Sequence, residues 1–321
     1  MSKKRIMNRV IVLFLFVLLC ILSLFIGVHS LTLKQLIQIS PVEWLVLSTT
    51  RLPRTISIIL AGATLSLSGL LMQQITQNKF ASPTTIGTTS SARLGLIFAL
   101  LFFPRASLFN RALFAFGFAV LGTFLFTFIL DKIQVKNPVI VPILGLLFGN
   151  TLSSFGTFIA LQQGIVQVLS SWLQGNFSLV NSTNYQLIWL SMVSLVLIGL
   201  FAHSFSIMVL GKDVVTELGV SYQALRILGI VIIAIGTASV LLTVGQIPFV
   251  GLVIPNLVSL WKGDQFRENL FPVAIFGMIF LLLADILARV LIFPFEIPVS
   301  VIVGILGSLL FIYLLIRGER S

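Results

Sequence analysis

Side chains able to carry out acid–base, nucleophilic or metal chemistry are scarce in this sequence: nine carboxylates, two histidines and one cysteine among 321 residues. His29 and His203 are far apart, and Cys20 lies inside the first apolar run, so neither a Cys/His metal cluster nor an internal disulfide is available. No Gly-x-x-x-x-Gly-Lys-Ser/Thr loop occurs, which excludes ATP hydrolysis by that route. No nucleophile–base pair points to an enzyme. Of the carboxylates, only Asp285 falls well within an apolar run. It stands four residues before Arg289, so the two share a helix face, and we read them as a structural pair near the outer interface. Ion coupling is the alternative role for an intramembrane carboxylate. A single acid gives little machinery for using an ion gradient, so active transport would draw its energy from another chain.

A second polar set is neutral. Asn150, Ser154 and Thr157 recur at i, i+4 and i+7, one stripe of a helix, with Ser153, Gln162 and Gln163 close by. In lipid such a stripe either bonds to neighbouring helices or lines a wet path. The run Ala61-Gly-Ala63 through Ser66, Ser68 and Gly69 is small enough for close helix packing.

The elements that carry these residues are membrane helices. The chain is 58% hydrophobic and 9% charged, against roughly 25% charged residues in soluble domains. A water-soluble core cannot absorb that much apolar surface. The net charge of +11 raises the question of nucleic acid. The basic residues lie between apolar spans instead of forming one patch, so no nucleic-acid partner is expected. Eight apolar runs are long enough to cross, at about 10–29, 54–74, 112–130, 138–161, 186–203, 227–247, 270–291 and 297–316. Two shorter runs, at about 92–103 and 249–261, bring the count to ten. They are the third and the eighth, matching positions in two halves of five, and each follows a Pro/Gly-interrupted stretch, Pro83-Thr-Thr-Ile-Gly87 and Pro248-Phe-Val-Gly251. Five spans per half make the halves inverted, a pattern of transporters. The first run is taken as an uncleaved helix in preference to a signal peptide.

With the N-terminus cytoplasmic, fourteen of the 20 Lys and Arg residues fall inside and six outside. That satisfies the positive-inside rule and places both termini in the cytoplasm of a multi-pass protein. The chain reads as one membrane domain over residues 1–321, with a cytoplasmic connection at about 204–226.

Three segments resemble the FecCD/BtuC-like permease family of bacterial importers. They are Arg51-Leu-Pro-Arg54 with Ala61–Gln73 and Asn78-Lys-Phe-Ala-Ser-Pro83; Leu210-Gly-Lys-Asp-Val-Val-Thr-Glu-Leu-Gly-Val220; and Phe249-Val-Gly-Leu-Val-Ile-Pro255 through Leu283-Ala-Asp-Ile-Leu-Ala-Arg289 to Glu296-Ile-Pro298. Asn256 and Ser259 replace a His and an Arg common in the family. With Met72-Gln-Gln74 and Asn78-Lys-Phe80, the chain is similar to the subgroup serving catecholate-type siderophores.

The resemblance implies an all-α, BtuC-like type II ABC importer permease of about ten transmembrane helices in a bacterial cytoplasmic membrane. Its cargo would be a ferric siderophore, with cobalamin or haem as the alternative within the family and a stand-alone secondary transporter as the alternative outside it. Its partners would be a second, related permease chain, two cytoplasmic ATPase subunits that use the ATP, and an extracytoplasmic binding protein. The chain itself would bind no cofactor or metal. Arg51, Arg54 and Arg289 would meet carboxylates of the binding protein, a role suited to Arg, with snorkelling at the interface as the alternative. Leu210, Gly211, Asp213, Glu217, Leu218, Gly219 and Val220 would form the seat for the ATPase. Asn150, Ser154, Thr157 and Gln162 would border the pathway, with Trp172 near its outer opening or acting as an interfacial anchor.

Overall fold

A computed structural model describes residues 3–27, 40–133 and 140–318; His29, Lys34, Lys136, Glu319 and Arg320 lie outside them. Among the described residues ten principal helices follow one another: α1 Lys3–Phe25, α2 Pro41–Thr76, α3 Thr88–Phe102, α4 Leu108–Ile133, α5 Ile140–Gln162, α6 Tyr185–Leu200, α7 Tyr222–Val244, α8 Val250–Lys262, α9 Phe266–Val290 and α10 Val299–Gly318. Among the described residues, α2, α4, α5, α7 and α9 are long and apolar enough to cross a membrane. A sixth span forms when α6 is joined to its continuation Ala202–Leu210, bent by 61°. Helices α1 and α10 have 23 and 20 residues. Helices α3 and α8 have only 15 and 13, which reach about 22 and 20 Å, short of the ~30 Å hydrocarbon core.

The second helix starts much earlier than its apolar run. Ser40 and Glu43 form a reciprocal capping box with Pro41 in the first turn, a strong start signal. The polar stretch after it stays helical because Ser48, Thr49 and Thr50 donate their hydroxyls back to the carbonyls of Trp44, Leu45 and Val46 at 2.6–2.8 Å. One π-helical turn, Leu47–Arg51, joins the two parts. Arg51 and Arg54 therefore lie within the helix and not on a loop before it, as the run of apolar residues had placed them.

Helix α2 is the axis of the bundle, 89% of its apolar window being buried. Its small residues allow this. A Cβ on Gly62 would stand 2.6 Å from the Gly277 carbonyl oxygen of α9, and one on Gly69 would overlap the Gly251 carbonyl of α8. Close backbone approach of this kind supplies the dispersion contact that replaces a hydrophobic driving force in lipid. Helices α4 and α5 lie at the edge, with 28% and 22% of their windows buried, and so present most of their length to lipid or to another chain.

The packing repeats with a shift of five helices. Helix α2 packs on α8 and α9, and α7 packs on α3 and α4; α3 lies on α5, and α8 on α10. Each short helix begins on a left-handed residue, Gly87 at φ +85° and Phe249 at φ +64°. Gly87 abuts Gly149, the tenth of the 23 residues of α5, and Phe249 abuts Gly307, the ninth of the 20 residues of α10. Both short helices thus start beside the middle of a longer helix. Such backbone breaks are tolerated where protein or a cavity surrounds them.

Replacing Gly69 by Val forces α2 and α8 apart, and the yield of folded protein in detergent, read by size-exclusion chromatography, should fall several-fold. Gly117→Ala, where no heavy atom lies within 4 Å of the added Cβ, should leave that yield unchanged.

Candidate functional site

Three regions hold the residues singled out by the sequence. The first is at the C-terminal end of α1. The last turn of a helix leaves carbonyls without intrahelical partners, and the negative end of the helix dipole gathers there. Two arginines meet these groups. Arg51 donates from Nη1 to the carbonyls of Leu24 and Phe25, the latter at 2.9 Å. Arg289 donates from Nη1 to the carbonyls of Ser23 and Ile26, at 2.8 and 2.7 Å, and from Nη2 to Ser23 Oγ at 2.8 Å.

Arg289 also pairs with Asp285 one turn before it, as their spacing required. The other oxygen of Asp285 is taken by Arg54, from Nη2 at 2.7 Å and Nε at 3.1 Å. Arg54 Nη1 reaches on to both oxygens of Glu296, at 2.8 and 3.1 Å. Asp285 has no exposed side-chain surface, and Arg54, Arg289 and Glu296 show 12%, 4% and 20%. Three cations face two carboxylates, and the dipole end of α1 supplies the remaining negative potential. A cavity of about 220 Å³ borders the cluster, lined by Arg51, Arg54, Arg289, Glu296, Gly27 and Val180 among others.

The second region is the bend after α6. Ala202–Ile207 and the 3₁₀ turn Met208–Leu210 end at Gly211, with φ +88°; Lys212–Glu217 follows and ends at Gly219, with φ +78°. Both glycines supply conformations that a Cβ disfavours. Val215 is fully buried and anchors this knuckle, with Val220 packed partly against the core, while Val209, Leu210, Val214 and Leu218 project at 63, 52, 43 and 59% exposure. Asp213 and Glu217 are exposed beside them. The knuckle is thus a fixed apolar patch ringed by charge. On the same side, Arg226 of α7 holds Asp131 of α4 at 2.6 Å, and Lys79 holds Asp264 at 2.7 Å.

The third region is the polar stripe of α5. Asn150, Ser153, Ser154, Thr157, Phe158 and Leu161 line one open groove of about 540 Å³. Asn150, Ser154 and Gln162 are exposed in the single chain. Ser153 donates to Ser90 Oγ at 3.2 Å, and Thr157 accepts from Arg93 Nη2 at 3.3 Å. Trp172 lies in the helix Val166–Leu173 with its side chain outside the described set.

The structure therefore brings Arg51, Arg54 and Arg289 together, although 235 positions separate Arg54 from Arg289. It gives them partners inside the chain. It keeps the stripe and the knuckle apart from them. Sequence reasoning missed Glu296 as the second partner of Arg54, Ser23 as an acceptor for Arg289, and Arg93 beside the stripe. The scarcity of charge was the available signal for Glu296, which already stood in a quoted motif. Asn256 donates to the Lys79 carbonyl at 2.8 Å, and Gln73 donates to the same oxygen at 2.9 Å, fixing the turn after α2.

The sequence profile of the FecCD transport family matches residues 15–317. The petrobactin import system permease protein YclN of Bacillus subtilis (strain 168) is 44% identical over 309 residues, covering 95% of this chain and 98% of that one. The ferric-anguibactin transport system permease protein FatD of Vibrio anguillarum is 36% identical over 306 residues, covering 95% and 98%. A solved structure of a metal-chelate type ABC transporter in an inward-facing conformation superposes with a TM-score of 0.78 at 26% identity, covering 95% of this chain and 97% of that one.

Removing one partner of a buried ion pair leaves an uncompensated charge at a cost of about 3–5 kcal/mol. Asp285→Asn should accordingly lower the thermal midpoint of the purified protein far more than Glu296→Gln, whose site is partly open to water. Equal shifts would contradict the geometry.

Proposed function

The chain belongs to the FecCD transport family, and on that premise we propose that it is the membrane-spanning permease subunit of an ATP-driven importer of ferric siderophore. The names of its relatives support this cargo, and the Met72-Gln-Gln74 and Asn78-Lys-Phe80 segments favour a catecholate type. Iron travels as part of the chelate, so it is substrate and no resident metal is needed.

The observation that carries this reading is the knuckle at residues 209–218. Four apolar side chains, Val209, Leu210, Val214 and Leu218, stand exposed on and around a short helix anchored by buried Val215. An apolar patch fixed in this way, at the end that the charge distribution assigns to the cytoplasm, is a docking surface. Its occupant is the ATPase that the chain needs, having no phosphate loop of its own. Asp213 and Glu217 at the rim set the register of docking.

The α5 groove supports a second permease chain. A polar stripe is costly against lipid, and a related chain placed against α5 would enclose it as a pathway through Asn150, Ser154, Thr157 and Gln162, with Trp172 at its outer end. At the outer face, an extracytoplasmic binding protein would seat over the cavity beside Arg51, Arg54 and Arg289. Asp285, which an ion-coupled carrier would need free, is bound by Arg54 and Arg289.

Affinity purification of the tagged chain from its native bacterial membranes should bring down an ATPase and a second permease. Leu210→Asp or Leu218→Asp should release the ATPase and retain the permease partner, and cells carrying either variant should lose uptake of iron-labelled ferric petrobactin. ATPase retention by both variants would overturn the assignment of the knuckle. Absence of ferric petrobactin uptake in cells with the unaltered chain would overturn the cargo.

A further inference from the structure

Arg93 differs from Arg51, Arg54, Arg289 and Arg226. Arg51, Arg54 and Arg289 are consumed by carboxylates or by the end of α1, and Arg226 by Asp131. Among the described residues Arg93 has no ion pair. Its one hydrogen bond runs from Nη2 to Thr157 Oγ1 at 3.3 Å, and its Nε is buried without a partner.

Its depth follows from the helices. Thr157 stands five residues before the outer end of α5, about 8 Å along the axis. Arg93 stands five residues past Thr88, the first residue of α3, which begins near mid-depth against Gly149. The guanidinium therefore lies in the outer half of the membrane. Ser90 and Arg93 are one turn apart on α3 and meet Ser153 and Thr157, one turn apart on α5. Ser153 and Thr157 line the open groove of about 540 Å³, and no carboxylate lines it among the described residues.

A cation at this depth is stable only beside counter-charge, water or a cavity. The protein supplies neutral hydrogen-bonding groups and the open face of α5 beside Thr157, and among the described residues no carboxylate pairs with Arg93. The positive end of the α3 dipole adds to the deficit. We propose that Arg93 is an anion-binding residue of the groove, and that it receives the negative charge of the iron chelate during passage. A ferric ion wrapped by catecholate dianions carries surplus negative charge on its outer oxygens. A planar guanidinium with Nε and Nη donors matches such oxygens. The nature of the anion rests on the importer reading; the anion-attracting groove does not.

The test uses the assembled importer in proteoliposomes, with Cys20→Ala to remove the native thiol and Ser154→Cys as a reporter in the groove. Modification rates are measured with an anionic and a cationic methanethiosulfonate of similar size. They are compared for Arg93, Arg93→Gln and Arg93→Lys. Loss of one nearby positive charge should lower the anionic-to-cationic rate ratio about tenfold in Arg93→Gln, and Arg93→Lys should restore most of it. Ferric petrobactin should slow the anionic reagent when Arg93 is present and not in Arg93→Gln. An unchanged ratio in Arg93→Gln, or a reporter that neither reagent reaches, overturns the proposal. So does uptake of ferric petrobactin without protection of the reporter. Failure of the importer reading is distinct, because an importer that takes up no ferric petrobactin still yields the rate ratio.

Discussion

Asp285 is wholly buried and divides its two oxygens between Arg54 of α2 and Arg289 of α9. The rest of the outer half depends on that division. A carboxylate in hydrocarbon is tolerable only when paired and fully hydrogen-bonded. Once Asp285 fixes Arg289, the same guanidinium reaches the carbonyls of Ser23 and Ile26 and closes the end of α1. Once it fixes Arg54, that side chain extends to Glu296 and pins the segment between α9 and α10. Arg51, three residues earlier on α2, completes the cap of α1. Thus α1, α2, α9 and the approach to α10 are joined through one buried acid. In a cluster so interlocked, Glu296 is the most open member, at 20% exposure.

The inner half is held by different means. Arg226 with Asp131 and Lys79 with Asp264 are more exposed pairs, of smaller worth in water. Close packing of glycine-bearing helices carries the bundle instead. Between the two halves, α3 and α8 start at mid-depth from left-handed residues. Phe249 adopts this conformation without being glycine, which costs backbone strain. The breaks stand at equivalent places in inverted halves, so each rests on the middle of an edge helix, α3 on α5 and α8 on α10.

Much of this was legible in the sequence. All ten helices, the two short ones and their matched positions followed from the lengths of apolar runs and from Pro/Gly interruptions. Pairing of Asp285 with Arg289 followed from spacing. The start of α2 did not, because Ser48-Thr49-Thr50-Arg51 reads as a loop by composition. Its hydroxyls satisfy the helix's own carbonyls, and only the capping box at Ser40 and Glu43 announced the true start. The bend after Leu200 was likewise hidden in an unbroken apolar run. The arginines at 51 and 54 looked like surface groups because no local pattern places them. Their partners come from the end of α1, from Asp285 and from Glu296, all remote in sequence from α2, and such contacts appear only when the helices are packed. Arg93 escaped notice because it opens the short third run and its partner Thr157 is remote in sequence.

The proposed role is that of a dependent half-pathway, with the Asp285 cluster committed to structure and the energy supplied from outside. The most direct measurement is iron uptake by proteoliposomes that contain this chain with its permease partner, ATPase and binding protein. The account predicts uptake of labelled ferric siderophore with ATP on the ATPase side and no ion gradient, and none from the chain alone under a proton or sodium gradient. Gradient-driven uptake by the chain alone, without ATP, would contradict it.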